Sequence, residues 1–173
     1  ELSYFEDAED LARWQTSKAD ISLTNDFVSQ GAQAMKAVYH AGIYGQEFPM
    51  IKLEGSDGFR TSDWTAYESI VFDVYNPNEV APRLQAKFFS TDGKSVDHQF
   101  DLTPLSWTKI RIPLNEIQLD LTKMGKLWLW RHAPEHPLTL YFDNFHFETL
   151  PRYPAELSYF EDAEDLARWQ TSK

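Results

Sequence analysis

Short apolar–polar alternations, each stopped by turn residues, restrict this chain more than any other feature. Ile70-Val71-Phe72-Asp73-Val74-Tyr75 alternates and then halts at Asn76-Pro77-Asn78. A period of two puts successive side chains on opposite faces of an extended chain, so such a run is a half-buried strand. Residues 34–39, 48–53, 84–89, 96–102, 107–114, 126–131 and 138–148 read the same way. Thr91-Asp92-Gly93-Lys94 sits between two of these runs, and Asp-Gly in that position signals a hairpin. Short strands separated by recurrent turns predict an all-β, antiparallel β-sandwich or barrel. Helix evidence is thin. Residues 8–14 suit about two turns with Asp7 as cap, and 114–124 suit one more.

Residues 1–18 read ELSYFEDAEDLARWQTSK, and residues 156–173 repeat them without a change. An identity of that length is a duplication, and its offset is the length of one small domain. Leu150-Pro151-Arg152-Tyr153-Pro154-Ala155 lies between, and its two prolines make a stiff linker. The predicted organisation is a β-sandwich domain at 1–149, a linker at 150–155, and at 156–173 the start of a next unit. Tyr4-Phe5-Glu6-Asp7 is expected to form the first strand, with Phe5 and Trp14 packed inside. The duplicate carries the same side chains, so it is expected to dock on another copy of the chain, in that slot or at a sheet edge.

The formal net charge of −11 disfavours nucleic-acid backbones and anionic lipid surfaces. The duplicate holds five acids and two bases, so one unit carries −8. Cysteine is absent, which excludes disulfides, thiol nucleophiles and thiolate metal sites. No apolar run is long enough to predict a membrane-spanning helix. The chain begins at Glu1 without a signal-peptide pattern, as a mature or excised fragment would.

Four segments, in order, resemble bacterial carbohydrate-binding modules. They are Tyr4-Phe5-Glu6-Asp7 with Trp14; Asp63-Trp64-Thr65-Ala66-Tyr67 leading into 70–76; Trp107 to Leu114; and Leu140-Tyr141-Phe142-Asp143-Asn144-Phe145. The resemblance implies the galactose-binding-like jelly roll, two antiparallel sheets with one often concave. It implies a secreted or cell-surface, non-catalytic domain that attaches to a polysaccharide or oligosaccharide. The exact repeat supports an alternative, a structural unit of an extracellular stalk, adhesin or filament. The resemblance also implies one structural calcium, with Glu6 and Asp143 at the two side-chain positions and carbonyls near Ser29-Gln30-Gly31 completing the set. The other reading of Glu6 and Asp143 is that they hydrogen-bond turn amides.

No hydrolase, zinc-protease or phosphate-loop motif is present, so the chain is expected not to be an enzyme. His132 and His136 lie four apart, but Pro134 and Pro137 bar a helix, which leaves a solvated loop. The aromatics carry more. In Lys126-Leu127-Trp128-Leu129-Trp130-Arg131-His132 the period of two sets Trp128, Trp130 and His132 on one face. If the leucines face the core, two indoles stand on the outside of a sheet, where sugar C–H faces can stack. The opposite orientation buries them. Tyr75, Lys87 and Arg111 are outward by the same parity. They are the candidate polar neighbours of Trp128 and Trp130; the alternative for them is an ordinary solvated face.

Overall fold

The computed structural model describes residues 2–149; the linker and the duplicate at 156–173, with the docking expected of it, lie outside the described residues. The alternating runs become strands β3 (Ala34–Tyr39), β4 (Met50–Glu54), β5 (Tyr67–Asn76), β6 (Arg83–Ser90), β7 (Ser95–Asp101), β8 (Ser106–Pro113), β9 (Met124–Trp130) and β10 (Leu138–Thr149). Two strands precede them, β1 (Trp14–Ser17) and β2 (Ala19–Thr24). They pair into two antiparallel sheets. A front sheet has the order β1-β4-β9-β6-β7, and a back sheet has the order β2-β3-β10-β5-β8. The all-β sandwich read from the sequence is the observed fold.

The core lies between the sheets. Leu53, Leu84, Ala86, Phe88, Leu127 and Leu129 come from the front, and Tyr39, Ile70, Phe72, Val74, Leu140 and Phe142 from the back; all are fully buried. Alternation explains the set, since every second residue of a strand points inward. Trp64, just before β5, is also fully buried, against Phe59, Phe88 and Phe147. Its indole N–H donates to the Thr61 carbonyl, so the large ring is buried without an orphan donor. The Asp92-Gly93 turn closes β6 onto β7 as expected, with Gly93 at φ +86°.

Three sequence expectations change. First, β1 and β2 were not expected: β1 is polar, and β2 alternates yet lies outside the expected strands. Lys18 between them adopts φ +52°, and that single left-handed residue passes the chain from the front sheet to the back. Second, Tyr4–Asp7 is not a strand. Only Ser3 bridges β10, at Phe145. The Asp10 carboxylate takes the amides of Tyr4 and Phe5, both at 2.8 Å, and Phe5 turns to φ +57°, which a strand cannot continue. Phe5 and Trp14 are nonetheless buried, packed with Phe145 at the end of the sandwich. Third, helix is shorter than expected. Helix α1 covers Ala8–Ala12, with Asp7 Oδ1 accepting from the Asp10 amide, and helix α2 covers Gly55–Gly58. The 114–124 segment holds two single 3-10 turns, Leu114–Glu116 and Leu121–Lys123.

Candidate functional site

Leu127 and Leu129 are fully buried, so Trp128 and Trp130 stand on the outer face of the front sheet. The register surrounds them. Trp128 lies opposite Lys52 on β4 and Lys87 on β6; Trp130 lies opposite Met50 and Gln85. Lys126 lies opposite Glu54 and Phe89, and Asp97 on β7 lies opposite Lys87. Both indoles are tethered. Trp128 Nε1 donates to Glu54 Oε1 at 2.6 Å, and Trp130 Nε1 donates to Asp97 Oδ1 at 2.9 Å. Lys87 Nζ stands 3.3 Å from the other oxygen of Asp97. An indole fixed at its polar edge keeps one orientation and offers its apolar faces, which lowers the ordering cost of binding.

Phe48, Met50, Lys87, Trp128 and Trp130 line a shallow hollow of about 280 Å³. Phe48 is 38% exposed and meets Trp130 edge-on at 5.6 Å between centroids. The aromatic strip continues past the end of β9. His132 lies 5.6 Å from Trp130 and 4.6 Å from Tyr44, which is 75% exposed. His132 is therefore half-buried among rings rather than solvated, while His136 is exposed on the loop as expected. The Nδ1 of His132 is buried and has no partner among the described residues. A second hollow of about 270 Å³ opens there, between Tyr44, Arg83, Gln85 and Arg131.

The structure brings Lys87 to Trp128 and Trp130 but separates Tyr75 and Arg111 from them. Both of those lie on the back sheet, on the opposite side of the sandwich. Tyr75 stacks on Phe27 at 4.1 Å and adjoins Trp107 and Tyr141. Arg111 is held between Glu68 at 3.1 Å and Glu148 at 2.6 Å. The physical reason is simple. Strand parity says whether a residue points in or out, but not which sheet owns the strand. Sequence reading missed Phe48, Met50, Lys52, Glu54, Asp97 and Lys126, whose membership depends on register across β4, β9, β6 and β7. Phe48 and Met50 did carry a signal, as large apolar residues on the parity opposite to Ile51 and Leu53, which fill the inward positions of β4.

Glu6 and Asp143 both close on the loop at residues 29–33. Asp143 Oδ2 accepts from the amides of Ser29 and Gln30 at 2.8 and 2.9 Å and from the Ser29 hydroxyl at 3.1 Å. Its Oδ1 accepts from the Asn144 amide. Burial raises the Asp143 carboxyl above its ordinary pKa, with these donors opposing. Glu6 Oε1 accepts from the amides of Ala32 and, more weakly, Gln33. Gly31 lies so close that a Cβ there would meet Glu6 Oε1. Two hard-oxygen side chains on either side of one loop are the donor chemistry calcium takes, though here the oxygens accept amide hydrogens. No three His, Cys, Asp or Glu side chains group to hold a metal among the described residues. Asp73 lies on the outer side of β5, the side opposite Phe72 and Val74. It is buried beneath the same loop, bonded to Ser29, Asn144 and Lys109.

No family model matches the sequence, and no curated protein matches it. Solved structures do match its fold. An exo-β-agarase superposes at a TM-score of 0.71 with 13% identity, over 87% of this chain and 25% of the agarase. The chain thus spans about a quarter of that enzyme's length. The family 11 carbohydrate-binding module of the Clostridium thermocellum cellulosomal cellulase Lic26A-Cel5E superposes at 0.65 with 15% identity, over 86% of this chain and 93% of the module. The same family's module from Clostridium thermocellum, in complex with a β-1,3-1,4-mixed-linked tetrasaccharide, also superposes at 0.65 with 15% identity, over 86% and 95%. The fold is that of a carbohydrate-binding-module β-sandwich. Among the described residues no helix is long and apolar enough to cross a membrane.

Proposed function

We propose that the chain is a non-catalytic carbohydrate-binding module that attaches to an extracellular polysaccharide through the outer face of its front sheet. One observation carries this reading: two tethered, partly exposed indoles stand side by side over an apolar hollow. Sugar C–H faces stack on such rings, while Lys52, Gln85, Lys87 and Gln99 supply planar or charged partners for hydroxyls. The fold shared with modules, one of them in complex with a tetrasaccharide, supports the same reading. Calcium at Glu6 and Asp143 belongs to the proposal as a structural ion, holding the loop at residues 29–33 to the sandwich. The duplicate at 156–173 supports units in series, and linked weak sites gain avidity. Such a protein works outside the cell, secreted or at the surface.

The test is retention on a polysaccharide and oligosaccharide array. Wild type is retained by at least one glycan, and Trp128→Ala loses that retention while its melting temperature falls by only a few degrees. Equal retention of the variant, or no retention of wild type by any glycan, refutes the reading.

A further inference from the structure

Most lysines and arginines among the described residues are neutralised where they stand. Arg13, Lys18, Arg83, Lys87, Lys94, Lys109, Arg111 and Lys123 each lie within 4 Å of a carboxylate. Acids outnumber bases 27 to 16, so an unpaired cation does not arise from a shortage of carboxylates. Among the described residues Lys36, Lys52, Arg60, Lys126 and Arg131 have no ion pair, and three of these five adjoin the front face. Lys52 and Lys126 each place Nζ 5.8 Å from the centre of the Trp128 ring, one from the neighbouring strand and one from the same strand. Both sit over rings as cation–π contacts but pair with no carboxylate, so a sugar at Trp128 meets two ammonium groups that lack a counter-ion. Arg131 is half-buried at the second hollow. Its Nε donates to the His132 carbonyl at 3.0 Å, which leaves most of the guanidinium fork unused.

We propose that the glycan bound on this face carries acidic substituents, sulfate or carboxylate, which Lys52, Lys126 and Arg131 receive. This rests on the reading of the front face as a carbohydrate site. Both substituents are oxyanions, which ammonium and guanidinium groups bind by charge-assisted hydrogen bonds. Of the carboxylates on the face, Glu54 and Asp97 accept the two indole N–H groups, Asp97 also pairs with Lys87, and Asp101 at the second hollow pairs with Arg83. The overall negative charge repels polyanions only weakly at short range, because charges beyond about 10 Å are screened at 0.1 M salt. Recognition therefore falls to the local cations.

The experiment is affinity electrophoresis of the full chain with four probes: mixed-linked β-1,3-1,4-glucan, its carboxymethyl derivative, agarose, and chemically sulfated agarose. The expected result is that a charged derivative binds about tenfold tighter than its parent at low salt, as two or three surface charge contacts allow. The gain, read as the ratio of derivative to parent affinity within each variant, should disappear in 0.5 M NaCl and in Lys52→Gln/Lys126→Gln or Arg131→Gln, with melting temperature kept. Lys94→Gln, in a distant turn, should keep the gain. If parents and derivatives bind alike, or the gain survives the lysine and arginine variants, the inference fails and the carbohydrate reading stands. If wild type binds none of the four, the inference fails, and the array decides the carbohydrate reading.

Discussion

Replacing adjacent residues of β9 should separate binding from folding. Leu129 is fully buried between the sheets, so Leu129→Ala leaves a core cavity and costs about 2–5 kcal/mol. At about 2–4 °C per kcal/mol for a domain of this size, the melt should fall by roughly 4–20 °C. Trp128 is one residue away but on the other face. Its removal loses contacts with Phe89 and one hydrogen bond to Glu54, whose carboxylate then returns to water. That costs about 1 kcal/mol, a shift of a few degrees. The binding loss is larger. A central aromatic anchor contributes about 2 kcal/mol or more, so affinity should drop about 30-fold. Thermal melts and affinity electrophoresis on both variants read the two effects. A Trp128→Ala melt as low as that of Leu129→Ala would place the indole in the core and refute the assignment of faces.

Further outcomes are expected elsewhere. Calcium added to metal-stripped protein should raise the melting temperature and a chelator should reverse it, because an ion bound only by the folded state stabilises it; an unchanged melt assigns Glu6 and Asp143 to the loop amides alone. Burial would raise the Asp10 pKa, but bonds from Arg13, the Phe5 amide and Ser3 hold it below the ordinary value. Its contribution is therefore complete above about pH 3.9 and is lost as pH falls through the lower folded value. Asp10→Asn should destabilise at pH 7 by about 2 kcal/mol and converge with wild type in acid melts; a constant gap would refute the linkage. Truncation after Ala155 should leave the melt unchanged, since Phe5 and Trp14 of the same domain already fill the end of the sandwich; a drop of more than a few degrees would show that residues 156–173 support it.

The fold was legible because β3 to β10 alternate cleanly, and Leu127 and Leu129 placed Trp128 and Trp130 outside without any further information. What was not legible required partners distant in sequence. Ala19, Ile21 and Leu23 alternate with Asp20, Ser22 and Thr24, so β2 did carry a signal; β1, with Gln15, Thr16 and Ser17, did not. Tyr4–Asp7 looked like a strand until the Asp10 carboxylate took its amides, an event that propensity does not encode. Tyr75 and Arg111 were outward, as read, but on the wrong sheet. Assigning a strand to a sheet requires the pairing order, and β10 inserted between β3 and β5 is a feature of topology rather than of any local run.

That insertion also governs the order in which the domain can be made. Strand β10 is the last of the described elements, yet it lies in the middle of the back sheet, bonded to β3 on one side and β5 on the other. Its Phe145 also takes the Ser3 bridge from the opening of the chain. Until residues 138–149 leave the ribosome, β2–β3 and β5–β8 are two separate halves with open edges. Such long-range closure makes folding slow and leaves the edges open to mispairing. In a polypeptide that repeats this unit, every copy passes through the same gap. Synthesis from one end keeps each closing strand with its own halves, because a unit is complete before its successor has strands to offer.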